Sequence, residues 1–136
     1  MDRNLQLLGI AKKAGLLAIG GDDVNAAARA GKAKLIICAA DASDGALRRA
    51  RSNADTGKAL SIIVPFTKFE LGNMTRRGSP VTVAFLDIGL AARFLEGLAV
   101  TYPGRYNEAE KLLTEKAAIA AERKKIAPSG KRRTAQ

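Results

Sequence analysis

The stretch "AIGGDDVNAAARAGKAKLIICAADAS", residues 18–43, passes from a glycine pair to a helical pattern and then to a wholly apolar run. Gly20 and Gly21 precede Asp22, which can cap a helix that places Val24, Ala27 and Ala28 on one face and stops at Gly31. After a basic turn, Leu35 to Ala39 is continuously apolar between polar flanks, as expected of a strand covered on both faces. A helix feeding such a strand implies helical layers on either side of a sheet.

The same alternation extends in both directions. Upstream, Leu5, Leu8, Ala11 and Ala14 recur at helical spacing between Asp2, a candidate cap, and Gly15, a candidate stop; Leu17 to Ile19 is then a short extended piece. Downstream, Asp41 and Ser43 start a third helix with Ala46, Leu47, Ala50 and Ala54 inward and Arg48, Arg49 and Arg51 outward. Ser61 to Val64 reads as the next strand. Thr67 and Glu70 have capping-box spacing, predicting a short helix from Lys68 to about Thr75. Val81 to Leu86 is the last strand, and Asp87 can cap a fifth helix whose inner face is Leu90, Ala91, Phe94, Leu95 and Leu98. The pattern predicts an α/β fold, a three-layer α/β/α sandwich on a small four-stranded sheet, occupying residues 1–100. Residues 101–136 read as a turn-rich linker "TYPGRYNE", a charged Ala-rich helix from about Glu108 to Ile126, and a basic tail "APSGKRRTAQ" too poor in apolar residues to fold. Leu112, Ile119 and Ile126 are spaced by seven, but charged residues between them argue against a coiled coil.

A chain of 136 residues suffices for one such domain, and its charge narrows the choice of partners. Lys and Arg number 23 against 13 Asp and Glu, a net charge of +10. That excess favours polyanions, nucleic acid first. An acidic membrane surface is the competing polyanion, but no apolar run approaches a spanning helix and the N-terminus lacks a signal-peptide pattern, so a soluble cytoplasmic protein without a membrane partner is expected.

Catalysis is constrained by what is missing. The chain has no His and a single cysteine, Cys38, which lies within "LIICA" and reads as a small core residue. There is no nucleophile elbow and no phosphate loop ending in Gly-Lys-Ser/Thr. Asp22 and Asp23 can be read as a carboxylate pair or a magnesium site, but adjacent acids at a helix start suit capping and the helix dipole better. The expectation is a protein that is not an enzyme and holds no cofactor or metal.

A helix N-terminus also presents unpaired N–H groups, and preceding glycines let an RNA backbone or base edge come close. With so few aromatics and no Trp, structured RNA suits the composition better than stacked single strands. Here "LLGIAKKAGLLAIGGDDV", "ARAGKAKLIICAADAS", "FTKFELG" and "VTVAFLDIGLAARFLEGL" resemble the kink-turn RNA-binding ribosomal-protein superfamily of archaea and eukaryotes, and most closely its bacterial YlxQ-like branch. The resemblance covers roughly residues 3 to 98 in order.

It implies a mixed sheet in the α/β/α sandwich and RNA bound along one edge. Two contact regions are implied: the glycine-led helix start at Gly20, Gly21, Asp22 and Asp23, and the loop at Arg76, Arg77, Gly78, Ser79 and Pro80. Kink-turn binders commonly carry Asn-Glu where this chain has Asp22 and Asp23, and a Lys where it has Ala26. Arg29, Lys32, Lys34 and Lys68 are added as candidate phosphate contacts, and the basic runs at 123–125 and 131–133 as nonspecific ones. The resulting expectation is a monomer that recognises a kink-turn-like or internally looped RNA, ribosomal in nature, with ribosome-associated proteins as further partners. Two readings stay open beside it: a protein-interaction adaptor with an altered RNA edge, and a small enzyme relying on Asp or Lys alone.

Overall fold

The structure, a computed structural model, describes residues 2–134, with side chains for residues 2–123. Its elements run α1 (Arg3–Lys13), β1 (Leu17–Ile19), α2 (Gly21–Arg29), β2 (Leu35–Cys38), α3 (Asp44–Gly57), β3 (Leu60–Ile63), α4 (Lys68–Thr75), β4 (Thr82–Phe85), α5 (Ile88–Thr101) and α6 (Asn107–Thr134). The sheet order is β1-β4-β2-β3. β4 is antiparallel to both β1 and β2, whereas β2 and β3 are parallel, so the sheet is mixed as expected.

Alternation along the strands divides the core into two unequal layers. Ala18, Ile36, Cys38 and Ala84 face α2 and α3, where Ala28, Ala50 and Ala54 complete a thin layer of small side chains. The helices come close enough there that a Cβ on Gly57 would stand 2.9 Å from the carbonyl oxygen of Ala28. The opposite face carries Leu35, Ile37, Val83 and Phe85 against Leu5, Leu8, Phe94, Leu95 and Leu98. Phe85 and Phe94 meet with ring centroids 5.0 Å apart. This thick layer holds most of the buried apolar volume and fixes the sheet on α1 and α5.

The local signals explain the helix starts. Asp2 accepts from the N–H of Asn4, Ser43 from Ala46 and Asp87 from Leu90, while Thr67 and Glu70 form the reciprocal capping box. Asp41 behaves differently from expectation. Its Oδ1 accepts from the N–H of Lys68 at 2.9 Å, so it ties the loop after β2 to α4 instead of starting α3.

The C-terminal helix docks on the domain. Tyr106 and Leu113 are buried in the thick layer, with Ala109 packed beside them. The residue facing the core is Leu113, while Leu112 and Ile119 of the seven-residue spacing remain exposed. The Tyr106 hydroxyl donates to the carbonyl of Ile63 at 2.8 Å, occupying one backbone acceptor on the free edge of β3. α6 also continues to Thr134, beyond Ile126 and through residues expected to be unstructured. Propagating an existing helix fixes one residue per hydrogen bond, so low apolar content does not by itself end it.

Candidate nucleic-acid interface

Because β1, β2 and β3 share one direction and β4 opposes them, three strand C-termini and the start of β4 lie at one end of the sheet. The chain enters α2, α3 and α4 from this end. Crevices outside the carboxyl ends of strands are where α/β sheets commonly hold ligands.

Gly20 makes the first turn at this end. It has φ 93° and ψ 161°, a conformation that L side chains rarely adopt, and its N–H donates to the carbonyl of Thr82 at 2.9 Å. The chain therefore leaves β1 while still bonded to β4 and turns directly into α2. Gly20, not Asp22, is the N-cap, and no side chain caps the helix. The hinge starts the helix at Gly21, which leaves Asp22 and Asp23 exposed in the first turn, where the helix dipole favours their charge.

A cleft of about 390 Å³ opens beside this turn, between α2, α3 and the start of β4. Gly21, Asp22 and Asn25 form one wall, Arg49, Ser52 and Asn53 the other, with Thr82 at the sheet. Asn25 Nδ2 donates to Asn53 Oδ1 at 2.9 Å. This leaves the Asn25 carbonyl oxygen and the Asn53 amide hydrogens, an acceptor beside donors, for a ligand with a complementary polar edge. Asp22 and Arg49 place opposite charges on facing walls.

The second candidate region leads into the same cleft. Arg76, Arg77, Gly78 and Ser79 are exposed, and the chain then passes through buried Pro80 to Val81 and Thr82 on the cleft wall. The loop is held by close packing on α4, where a Cβ on Gly72 would collide with the carbonyl of Gly78. Arg76 ends α4 in the left-handed region at φ 57° and lines a groove of about 560 Å³ with Lys12 and Lys13 of α1. Lys68 belongs to this end as well, through its N–H bond to Asp41 after β2.

Arg29, Lys32 and Lys34 do not join this group. The Lys34 N–H donates to Phe85, the last residue of β4, whereas Gly20 bonds Thr82, the first. Three residues of strand separate those points by roughly 10 Å, and α2 carries Arg29 to the far end of the sheet. Conversely, the sequence reading missed Asn25, Arg49, Ser52 and Asn53 as cleft residues and Lys12 and Lys13 as neighbours of Arg76. Asn25 stands one helical turn beyond Asp22, a spacing that places both on one face. The pairing of Asn25 with Asn53, by contrast, is a tertiary contact with no local signature.

Tyr106 is buried, and the Arg105 guanidinium sits 5.5 Å from its ring centroid and 5.8 Å from that of Tyr102. Burial pushes the Cys38 thiol up to about 11, with Arg51 pulling weakly the other way, so it is a protonated core residue at neutral pH. Of the basic runs, Arg123 is the last residue whose side chain is described; 124–125 and 131–133 lie outside that range. Among the described residues, no three His, Cys, Asp or Glu gather as a metal cage, and no helix is long and apolar enough to cross a membrane.

No family model matches the chain, and no curated protein matches it significantly. Among solved structures, a protein of unknown function from Bacillus halodurans aligns at 21% identity over 72% of this chain and 98% of its own, with a TM-score of 0.65. The 15.5 kD RNA-binding protein of Giardia lamblia aligns at 19% identity over 70% of this chain and 81% of its own, with a TM-score of 0.55. At these identities the likeness is one of fold.

Proposed function

We propose that this protein binds structured RNA, without catalysis, at the sheet end formed by Gly20 to Asn25, the α3 residues Arg49, Ser52 and Asn53, and the loop from Arg76 to Ser79. The observation that carries the proposal is the cleft between α2 and α3, in which an asparagine pair, an uncapped helix start and Arg49 converge beside a basic loop. Arg49, Arg76 and Arg77 hold phosphates, while the Asn25–Asn53 pair and the N–H groups of Gly21 and Asp22 read a base or sugar edge opened by a bend. Lys12, Lys13 and Lys68 extend the phosphate track along α1 and α4. The shared fold with an RNA-binding protein and the sequence resemblance to the kink-turn-binding superfamily, in its YlxQ-like branch, support the same reading.

The finer proposal is a monomer in the cytoplasm that recognises a kink-turn or internal loop of ribosomal RNA. Asp22 and Asp23 act as acceptors towards base amino groups or ribose hydroxyls, and they repel phosphate, so the bound strand presents a base or sugar at α2 and its phosphates to the loop. Photo-crosslinking with a 4-thiouridine-substituted RNA followed by peptide mapping tests the placement. Crosslinks in residues 20–25, 49–53 and 76–82 are expected; crosslinks confined to residues 29–34 or to α6 would refute it.

A further inference from the structure

A second cleft lies at the opposite end of the sheet, bordered by the loops before β2 and β3, the start of α5 and the middle of α6. Its volume is about 630 Å³. Ala33, Ile88, Ile119 and Ala120 give it an apolar floor, and Ile119 remains 52% exposed although it belongs to a docked helix. Around that floor stand four cations, Lys34, Lys58, Lys116 and Arg123, and among the described residues no carboxylate lines it. The rim is held in place: Lys116 Nζ donates to the carbonyl of Lys58 at 3.2 Å, joining α6 to the end of α3, where Lys58 takes the left-handed conformation at φ 55°.

We infer that this cleft is a docking site for an acidic peptide segment of a partner protein, one that inserts an aliphatic side chain onto Ile88 and Ile119 and sets its carboxylates against the surrounding amines. Charge complementarity selects this occupant. A second copy of a chain of net charge +10 would bring cations to cations. RNA would satisfy the amines, but no aromatic residue lines the cleft to stack a base, and the floor offers aliphatic carbon to a ligand rich in polar edges. An acidic segment with an embedded Leu or Ile uses both features, the apolar contact supplying affinity and the cations orientation. The site faces away from the proposed RNA edge, so one molecule can engage both partners.

The test uses the full chain and two fluorescein-labelled ten-residue peptides, one alternating Glu and Leu and one of Glu and Gly, followed by fluorescence anisotropy. The Glu–Leu peptide is expected to bind at least about ten-fold more tightly, the margin that burial of one or two aliphatic side chains provides. Ile119→Asp should remove that preference, Lys34→Gln should weaken both peptides, and neither should shift kink-turn RNA affinity by more than about two-fold. Because Ile119 is half exposed and Lys34→Gln removes only a charge, at least one variant keeps the fold, as thermal unfolding will verify. Equal binding of both peptides, or no effect of Ile119→Asp in a folded variant, would reduce the cleft to a nonspecific basic surface and overturn the inference. An equal loss of RNA and peptide binding in either variant would assign the cleft to RNA and overturn it as well.

Discussion

Gly72 of α4 lies directly against the carbonyl of Gly78, so closely that a single added methyl group would overlap it. The short helix and the loop carrying Arg76 and Arg77 are thus one packed unit, and the loop's course into β4 depends on Gly72 having no side chain. Gly72→Ala should destabilise the protein by about 1–3 kcal/mol through overpacking and should also displace the loop. Denaturant unfolding reads the first effect. Weaker RNA binding in the residual folded protein reads the second.

Gly20 makes a separate case, because nothing surrounds its missing side chain. The cost of Gly20→Ala comes from the backbone: φ 93° with ψ 161° suits glycine almost alone, and about 1–3 kcal/mol of strain is expected. Gly21, with no positive φ, should accept Ala with a far smaller loss. Thermal unfolding of the two variants side by side distinguishes a hinge at Gly20 from a general intolerance of the loop.

The two basic groups should also separate in solution. Replacing Arg76 and Arg77 by Ala should weaken RNA binding and lower the salt slope by about one to two, as loss of two phosphate contacts requires. Replacing Arg29 and Lys32 by Ala, at the other end of the sheet, should leave the slope nearly unchanged. A salt titration that shows equal losses for both pairs would place the RNA elsewhere.

The edge of β3 provides a test of the docked C-terminal helix. Tyr106→Phe keeps the buried ring and removes the hydroxyl that donates to Ile63, so a loss of about 1 kcal/mol is expected in denaturant unfolding. Leu113→Ala, which empties a fully buried site, should cost about 2–5 kcal/mol. A smaller cost than Tyr106→Phe would mean that α6 does not contribute to the core.

Alkaline stability should follow Cys38. Its folded thiol titrates at about 11 against an ordinary 9.0, so the stabilisation is complete below pH 9 and is lost as pH rises towards 11, where only the unfolded chain readily gives up the proton. Between pH 8 and pH 11 the wild type should lose about 2 kcal/mol more than Cys38→Ala. Tyr106, whose hydroxyl is also raised by burial, adds a loss of the same sign at higher pH that both proteins share.

Features that depend on near neighbours were legible in the chain. The capping box at Thr67 and Glu70, the caps at Asp2, Ser43 and Asp87, and the doubly covered strand beginning at Leu35 all follow from spacing and residue type, and the sandwich follows from their order. What the chain conceals is which ends of the elements meet. Arg29, Lys32 and Lys34 lie within a dozen residues of Asp22, yet an intervening helix carries them to the far side; Asn53 is 28 positions from Asn25 and touches it. Asp22 resembles a cap because its side chain suits the role, but the hydrogen bond from Gly20 to Thr82, a contact between distant segments, starts the helix two residues earlier. Leu113 was hidden by the more regular spacing of Leu112 and Ile119, since only packing against α5 decides which of two adjacent leucines turns inward.

The central claim, that the sheet end around Gly20 and Arg76 recognises RNA shape, is tested most directly by comparing a kink-turn RNA with a straight duplex of equal length across a salt series. The account expects a kink-turn preference that persists as salt rises, together with a marked loss of that preference in Asn53→Ala. Affinities that are equal for the two RNAs and fall in parallel with salt would contradict it, because a net charge of +10 alone would then account for the binding.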